Sequence, residues 1–504
     1  LDDAGSGQGR LVMLVGEPGI GKTRTAQELA AIAEERGAQT FWGRCYESEG
    51  APPYWPWAQT IRAYVQQADA ERLSKELASG AAAVAEIIPE IAEKLPDLAP
   101  AQRLEPEQAR FRLFNSIATF LKSAAENQSL MMVLEDLHWA DASSLLLLEF
   151  VAANLINSRL LIVGTYRDVE VSRGHPLART LGNLVRETGS GGFQRVQLHG
   201  LTVEQVGDLV SISRSDELPQ NLVATVHNRT EGNPFFVGEV VRLLVDEKPD
   251  EIHRWESSIP EGVRDMIGRR LDRLSSQCNQ ALITASVVGR EFEFGLLAEL
   301  MRDIPEDDLL LALDEALDAH VIEEAPGGPE RYQFIHALVQ QTLSEELSTS
   351  RRVRLHARIG EALEQINADN VTAHVSELAY HFSEAQTLLG TDKLAHYTLA
   401  AGEQALAAYA FEEAIELYQR ALDAMAEHPA DEHKADLLFG LGRGQAAVLG
   451  RSELQQAADS LIAAFDSYLQ SGDDENALKV ALNIFPNMHG VSGLADMLFR
   501  GNDP

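Results

Sequence analysis

The chain has 504 residues, of which 45% are hydrophobic, so it is long enough for about three folded domains and apolar enough to bury their cores. Its 42 basic and 77 acidic residues give a net charge of −35, which argues against direct nucleic-acid binding by this segment, because such binding needs clustered Lys and Arg. No apolar run approaches the ~20 residues of a membrane span, no secretory leader is present, and Cys45 and Cys278 cannot build a disulfide framework or a zinc site. We therefore expect a cytoplasmic protein without membrane contact, and the start at Leu1 rather than Met fits a piece of a longer protein.

The most informative segment is G-E-P-G-I-G-K-T at residues 16–23, which matches the phosphate-binding pattern G-x-x-x-x-G-K-[ST]. An apolar run at residues 11–15 predicts a buried strand before it, and a strong helix-forming segment begins at Thr23 and stops at Gly37. Strand, loop and helix therefore occur in the order that a nucleotide site requires.

This context predicts binding of ATP or ADP with Mg²⁺. Glycines allow the backbone to approach the phosphates, Lys22 supplies a positive charge to the β- and γ-phosphates, and the Thr23 hydroxyl is a ligand for Mg²⁺. The helix start adds free N–H groups and a partial positive charge. The predicted nucleotide-binding residues of this loop are Gly16, Glu17, Pro18, Gly19, Ile20, Gly21, Lys22, Thr23 and Arg24.

The next segments predict a second strand at residues 38–42, a proline-aromatic turn at 50–57 and a helix over 58–95. Within the turn, Trp55 and Trp57 could stack on a base, but packing at a helix entry is the favoured interpretation because Pro commonly opens helices. A proline-flanked break at 96–106 precedes a further helix at 107–125.

A second apolar run at residues 130–134 leads directly into Glu135 and Asp136. A buried strand that delivers acidic residues at its carboxyl end is typical of the magnesium site of phosphate-loop enzymes, so we predict catalytic and metal-binding roles for both. Further strands at 159–164 and 194–198 predict a parallel α/β sheet with its site at the carboxyl ends of the strands. His138 and Trp139 are interpreted as structural, since nothing supplies a second metal ligand.

Beyond residue 200 the sequence is mainly helical. Helices are predicted over 201–245 with a break at 232–234, and over 259–350 with a small β-wing at 331–334. From residue 351 every segment is predicted to be an Ala-rich amphipathic helix. Small and large residues are spaced as in tetratricopeptide repeats in two places. The two places are 43 residues apart, whereas an ideal repeat has about 34 residues. An irregular array of helical hairpins is favoured over a plain helical bundle, which stays open. The residues at these offsets are Gly402, Ala414, Tyr418, Ala421, Ala457, Leu461 and Ala464.

Five motifs in this order resemble the STAND class of signal-transduction ATPases. They are G-E-P-G-I-G-K-T, V-L-E-D-L-H-W-A-D (133–141), I-V-G-T-Y-R (162–167), E-G-N-P-F-F-V-G-E-V (231–240) and F-I-H-A-L-V-Q-Q-T-L (334–343). The similarity is greatest to the bacterial branch with large LuxR-type regulators and the ATPase modules of nucleotide cyclases. It implies an α/β phosphate-loop nucleotide-binding domain at 1–199, a helical lid at 200–257, a winged helix at 258–350 and helical repeats at 351–504.

The resemblance also implies roles for single residues. Arg167 would read the γ-phosphate from the tip of its strand, Pro234 would pack on the base, and His336 would contact the β-phosphate in the closed state. The family more often has Asp first in the acidic pair, so the division of labour between Glu135 and Asp136 stays open. Ala337 replaces an acidic residue that often follows the histidine. From the residues alone, Arg167 could instead pair with Asp168 or Glu170, and His336 could only cap a helix.

The leading functional hypothesis is a slow ATPase that switches between an ADP-closed and an ATP-open state to control partner binding or an attached output module. The alternatives are a truncated LuxR-type transcription regulator, the ATPase module of a class III cyclase, and a scaffold that binds ADP permanently. The resemblance implies a protein or small-molecule inducer at the C-terminal repeats and nucleotide-driven assembly of several copies.

Overall fold

The computed structural model describes residues 1–46, 50–102, 104–187, 192–213, 220–245, 267–268, 271, 273–325, 328–426, 432–448 and 454–484. All statements below concern these residues.

A five-stranded parallel sheet forms the first part of the chain. Its strands are β1 (Arg10–Val15), β2 (Gln39–Arg44), β3 (Leu130–Glu135), β4 (Leu160–Tyr166) and β5 (Phe193–Gln197). They lie in the order β2-β3-β4-β1-β5, and every neighbouring pair is parallel. The central strands β3 and β4 are buried along their whole length, as their continuous apolar sequence predicts.

Helices cover both faces of this sheet. One face carries the helix Lys22–Glu35, whose small side chains pack on Val133 and Val163, and the other carries the long helix Pro106–Asn127. Trp57 is fully buried, and its Nε1 donates to the carbonyl oxygen of Ser144 at 3.1 Å, which confirms packing for this tryptophan. The remaining helices of this part are Asp2–Gly5, Trp55–Gln67, Ala70–Leu77, Ala81–Ala85, Glu90–Lys94, Ala142–Ala153 and Pro176–Glu187, with short 3₁₀ turns at Ala78–Gly80, Leu137–Trp139 and Asp168–Glu170.

The middle of the chain contains helices and one small antiparallel sheet. Its strands are β6 (Glu291–Glu293), β7 (Ile322–Glu324) and β8 (Arg331–Phe334), in the order β6-β8-β7, so the strand predicted at 331–334 is confirmed. The helices of this part are Val203–Ser213, Gln220–Thr230, Pro234–Val245, Ser276–Val288, Phe294–Leu300, Glu306–Asp318 and Ala337–Glu345.

The last part is helical throughout its described residues. Tyr418 lies between Gly402 and Gly440, where a β-carbon on either glycine would come within 2.5 Å of the phenol ring, so the hairpins are held in register by small residues facing a large one. Its helices are Thr349–Ile366, Val375–Glu384, Gln386–Leu389, Asp392–Ala407, Phe411–Ala424, Glu432–Val448, Leu454–Ser471 and Asp474–Ile484, with a 3₁₀ turn at Val371–His374.

The predicted fold class is confirmed: a parallel α/β domain of phosphate-loop type precedes a helical region. One local prediction is wrong, because residues 58–95 form several short helices rather than one. The chain bends there where Asp69 caps a new helix, where Ala78 takes a positive φ of 45°, and at Pro89. The three boundaries between the four predicted domains remain predictions, and the lid boundary at 257 lies outside the described residues.

Candidate nucleotide-binding site

The loop between β1 and the helix Lys22–Glu35 has the backbone of a phosphate cradle. Gly19 and Gly21 have φ of 81° and 98°, and Gly16 has φ of 151°, conformations that side chains with a β-carbon rarely adopt. The helix begins at Lys22 without a hydrogen bond from a capping side chain. Its first N–H groups therefore remain available to an anion.

Lys22 lies inside this cradle. Its Nζ donates to the carbonyl oxygens of Gly16 and Glu17 at 2.8 and 2.9 Å, and only 7% of the residue is exposed. Burial lowers the pKa of Lys22 to about 8, and the nearby Asp136 carboxylate only partly offsets that effect. The Lys22 ammonium group is thus held at the loop, close enough to Asp136 for the two charges to interact.

Glu135 ends β3 and faces the loop. It is 2% exposed, and Nε and Nη2 of Arg44 donate to its Oε2 at 3.0 and 2.9 Å. Burial would raise the pKa of Glu135, but the Arg44 guanidinium and the Thr23 hydroxyl outweigh it and hold the pKa below the usual range. In the described part of the chain, Oε1 of Glu135 is buried without a well-formed hydrogen bond.

Asp136 follows with a left-handed backbone, φ 57°. Its N–H donates to Oγ1 of Thr165 at 2.9 Å, which fixes this conformation, and Nη1 of Arg290 lies 3.3 Å from Oδ2. Burial raises the pKa of Asp136 despite that arginine. The two neighbouring acids therefore have pKa values that are shifted in opposite directions.

These residues fit a magnesium-bound nucleotide. Mg²⁺ prefers oxygen ligands and needs few from the protein, and the Thr23 hydroxyl, the free Oε1 of Glu135 and the Asp136 carboxylate are such ligands. The loop, the lysine and the uncapped helix supply what phosphates require. In the described ranges, no group of three or more His, Cys, Asp and Glu could hold a metal by itself.

Arg167 lies at the tip of β4, as predicted, but its side chain has partners. Nη1 donates to Oε1 of Glu170 at 2.6 Å, and the guanidinium lies 4.7 Å from the ring centre of Trp139. Its charge contributes to the low pKa of Lys22, so Arg167 is close to the cradle. The pairing with Glu170 that the sequence left open is therefore present, and the role toward the γ-phosphate stays a prediction.

The start of the helix Pro234–Val245 sits directly on the phosphate loop. Nδ2 of Asn233 donates to the carbonyl oxygen of Pro18 at 2.9 Å, and the N–H of Phe235 donates to that of Gly19 at 3.3 Å. A β-carbon at Gly19 would lie 2.9 Å from both Asn233 and Phe235. Pro234 is therefore brought next to the loop, in the place where a lid could contact a nucleotide.

His336 also reaches this region. Its ring stacks on Phe235 with centroids 4.2 Å apart, and its Nδ1 accepts from the N–H of Leu338 at 3.1 Å, so it does cap the helix Ala337–Glu345. Burial, with the positive charges of Arg290, Arg167 and Lys22, lowers the pKa of His336 to about 3. The histidine is neutral near the cradle, and contact with the β-phosphate stays a prediction.

Three residues of the site escaped the sequence analysis: Arg44, Asn233 and Arg290. Asn233 lies within the motif E-G-N-P-F-F-V-G-E-V at residues 231–240, and its place in that motif was the only sequence feature that pointed to it. Arg44 and Arg290 meet the acids across 91 and 154 residues of sequence, and no local pattern predicts such contacts.

Comparison with known proteins agrees with this site. Residues 1–163 match the family described as AAA ATPase domain, so the first third of the chain carries an AAA ATPase domain. Residues 214–251 match a domain family of unknown function.

Curated relatives are distant and longer. The chain is 23% identical over 443 residues to an uncharacterized protein of Rhizobium meliloti, an alignment that covers 83% of this chain and 40% of that protein. It is 23% identical over 343 residues to the peroxide stress-activated histidine kinase mak3 of Schizosaccharomyces pombe, covering 64% of this chain and 14% of the kinase. The chain thus spans less than half the length of either relative.

Two solved structures resemble the chain weakly. The STAND protein with a tetratricopeptide repeat sensor from Pyrococcus horikoshii is 13% identical with a TM-score of 0.43, over 96% of this chain and 72% of that one. The Walker-type ATPase of Pyrococcus abyssi is 14% identical with a TM-score of 0.29, over 66% and 90%. At these scores the similarities support neither an activity nor a partner. Of the helices in the described ranges, none is long and apolar enough to cross a membrane.

Proposed function

We propose that the chain binds Mg²⁺–ATP and ADP at residues 16–23, hydrolyses ATP slowly, and uses the bound nucleotide to control how its later segments pack on the ATPase domain. One observation carries the proposal: the phosphate loop and both acids of β3 are each linked to a segment outside the sheet domain. Asn233 contacts the loop, Arg290 contacts Asp136, and Arg44 joins Glu135 to the small sheet.

The chemistry of the site supports distinct roles for the acids. Glu135 lies beside Thr23 and carries the lowered pKa, which suits an ionised carboxylate on the metal side. Asp136 carries the raised pKa, which suits a base that takes a proton from the attacking water. Bound Mg²⁺ would neutralise phosphate charge and orient the transferred group.

The contacts of Arg44 and Arg290 link this chemistry to conformation. Arg44 also donates from Nη1 to Oε1 of Glu291 at 3.3 Å and to Oε1 of Gln333 at 3.0 Å, so one guanidinium joins β2, β3 and the small sheet. When Glu135 and Asp136 turn toward a magnesium-bound triphosphate, both arginines lose part of their partners. We therefore propose that the state in which these pairs are formed is the closed state, and that ATP favours an open state.

The larger size of the curated relatives suggests where the signal goes. The chain spans 40% and 14% of their lengths, so it fits a sensing and switching part of a longer polypeptide with a separate output. We propose that the helical part after residue 351 receives a protein or small-molecule signal and that open molecules assemble.

Single-turnover hydrolysis tests the proposed activity. Replacing Asp136 by Asn keeps the shape but removes the base, so hydrolysis of radiolabelled ATP should fall at least about 100-fold while Mg²⁺–ADP binding persists. The matched control is Asp97→Asn, which removes an exposed carboxylate. Hydrolysis at the unaltered rate in both Asp136→Asn and Glu135→Gln would refute the proposed roles.

A further inference from the structure

We propose that a cavity of about 500 Å³ between the ATPase domain, the small sheet and the first helices after residue 350 binds a flat, uncharged aromatic molecule with one hydrogen-bond acceptor. Its volume lies within the range of small-molecule sites, roughly 300–1,000 Å³. It is separate from the phosphate loop, none of whose residues lines it.

Aromatic side chains from all three segments form its walls. Tyr46, Trp55 and Trp139 come from the ATPase domain, Phe292 from β6, and Tyr380 from the helix Val375–Glu384. Such rings give a large apolar contact area and prefer to pack on other planar groups. The composition of the walls therefore favours a planar aromatic ligand over a sugar or a peptide.

Two buried N–H groups of residues in this wall lack a hydrogen-bond partner among the described residues, Nε of Arg290 and Nε1 of Trp55. Arg290 lines the cavity with 14% of its side chain exposed, and among the described residues its buried Nε has no hydrogen-bond partner, while Nη1 faces Asp136. A buried N–H without an acceptor is costly, so an acceptor on a ligand would gain more here than in water. These unpaired N–H groups are the reason for placing an acceptor on the molecule.

The other charges of the wall are paired with one another. Arg331 lies 3.8 Å from Glu291 and 3.5 Å from Glu293, and Nδ1 of His374 lies 3.3 Å from Glu377. Three carboxylates against two arginines make the wall unfavourable for an anion, and the pairing leaves no free carboxylate for a cation. An uncharged ligand fits this balance best.

Occupancy of the cavity bears on the acids of β3. A ligand acceptor on Arg290 would reorient the guanidinium that faces Asp136, and a smaller cavity of about 200 Å³ shares Tyr46, Trp55 and Trp139 and extends to Glu413 in the helical part. The cavity thus adjoins Arg290, the partner of Asp136, and the helices that are proposed to receive the signal. This regulatory consequence rests on the proposed function, whereas binding itself does not.

The test uses prodan, a neutral naphthyl ketone whose fluorescence shifts in apolar surroundings, on the full chain. Gly295 lines the cavity, and no heavy atom of the described residues comes within 4 Å of a β-carbon built on it, so Gly295→Phe fills the space. The matched control is Gly182→Phe, also in a helix with an open β-carbon but away from the cavity. Thermal unfolding of both variants establishes that they are folded, and Gly295→Leu is the milder second variant.

We expect one prodan site per chain. Prodan should bind Gly295→Phe at least about tenfold more weakly than it binds Gly182→Phe. Anionic anilinonaphthalene sulfonate should bind the unaltered protein at least about tenfold more weakly than prodan does. Equal binding by the two folded variants, or tighter binding of the anion, would overturn the proposal. Lys22→Ala should bind prodan normally, because Lys22 does not line the cavity. An unaltered protein that binds prodan but no magnesium nucleotide would sink the ATPase hypothesis alone.

Discussion

At the scale of single residues, the acid pair of β3 depends on two arginines that come from elsewhere in the chain. Arg44 neutralises Glu135 and Arg290 faces Asp136, so the acids are held before any nucleotide chemistry takes place. Buried carboxylates need such partners, because an unpaired buried charge is strongly destabilising. Under the proposed function, these pairs belong to the closed state.

Replacing Arg290 by Met should therefore weaken the closed state. Met keeps much of the side-chain volume but cannot pair with Asp136, so we expect release of a fluorescent ADP analogue to become about tenfold faster, corresponding to about 1.4 kcal/mol. Stopped-flow fluorescence measures this rate. The control Arg354→Met alters an exposed arginine, and an unchanged or slower release in Arg290→Met would contradict the switching role.

The residues that the sequence could predict are those with a local signature. Lys22, Thr23, Glu135 and Asp136 follow buried strands at fixed offsets, so the sequence pattern and the chemistry of the side chains point to the same positions. Arg44 and Arg290 were missed because their roles arise only when β3 meets other segments. The left-handed backbone of Asp136 depends on its hydrogen bond to Thr165, and no local sequence rule predicts that conformation.

At the scale of elements, one helix of the C-terminal helical part docks on the α/β domain just after the acid pair. Glu413, in the helix Phe411–Ala424, accepts from N and Oγ of Ser143 at 2.9 and 2.6 Å, and Asp141 caps the same helix start. Burial and the charge of Asp141 raise the pKa of Glu413 from 4.5 to about 8. This contact connects the helical part with the segment that follows Glu135 and Asp136.

The docking contact should therefore weaken with rising pH. The folded protein favours protonated Glu413, so its contribution to stability is fully present below about pH 4.5 and is lost as pH rises toward 8. Glu413→Gln stays neutral, so its free energy of unfolding relative to that of the unaltered protein, measured by thermal unfolding, should rise over that interval by at most about 1.4 kcal/mol per pH unit. Glu412→Gln, which breaks the pair with Arg110, serves as the control without such a trend. A pH-independent difference between Glu413→Gln and the unaltered protein would show that the contact does not titrate.

The predictions of secondary structure succeeded where an apolar run was continuous and failed where several short helices share one composition. The strands at 11–15 and 130–134 are continuous apolar runs, and both are present. Residues 58–95 have helix-forming composition throughout, and only the cap at Asp69 and the positive φ of Ala78 divide them. Tyr418 packs on Gly402 and Gly440, and the tetratricopeptide-like repeat stays a prediction.

At the scale of the whole molecule, the order of strands and helices indicated a parallel α/β domain and a helical region, because connections in parallel sheets require intervening segments. How these parts meet could not be predicted, since it depends on long-range contacts, both apolar and polar. Arg44, Arg290 and Glu413 make three of them, and each lies next to the acid pair or the segment after it. These three contacts thus lie near the edge where the nucleotide is proposed to bind.

The central claim is that the loop at residues 16–23 binds a magnesium nucleotide, and titration calorimetry with ADP and Mg²⁺ tests it most directly. We expect one site per chain, with binding lost in Lys22→Ala and retained in Lys75→Ala, which removes an exposed lysine of the helix Ala70–Leu77. Absence of binding to the unaltered protein, or equal binding by Lys22→Ala, would contradict the account.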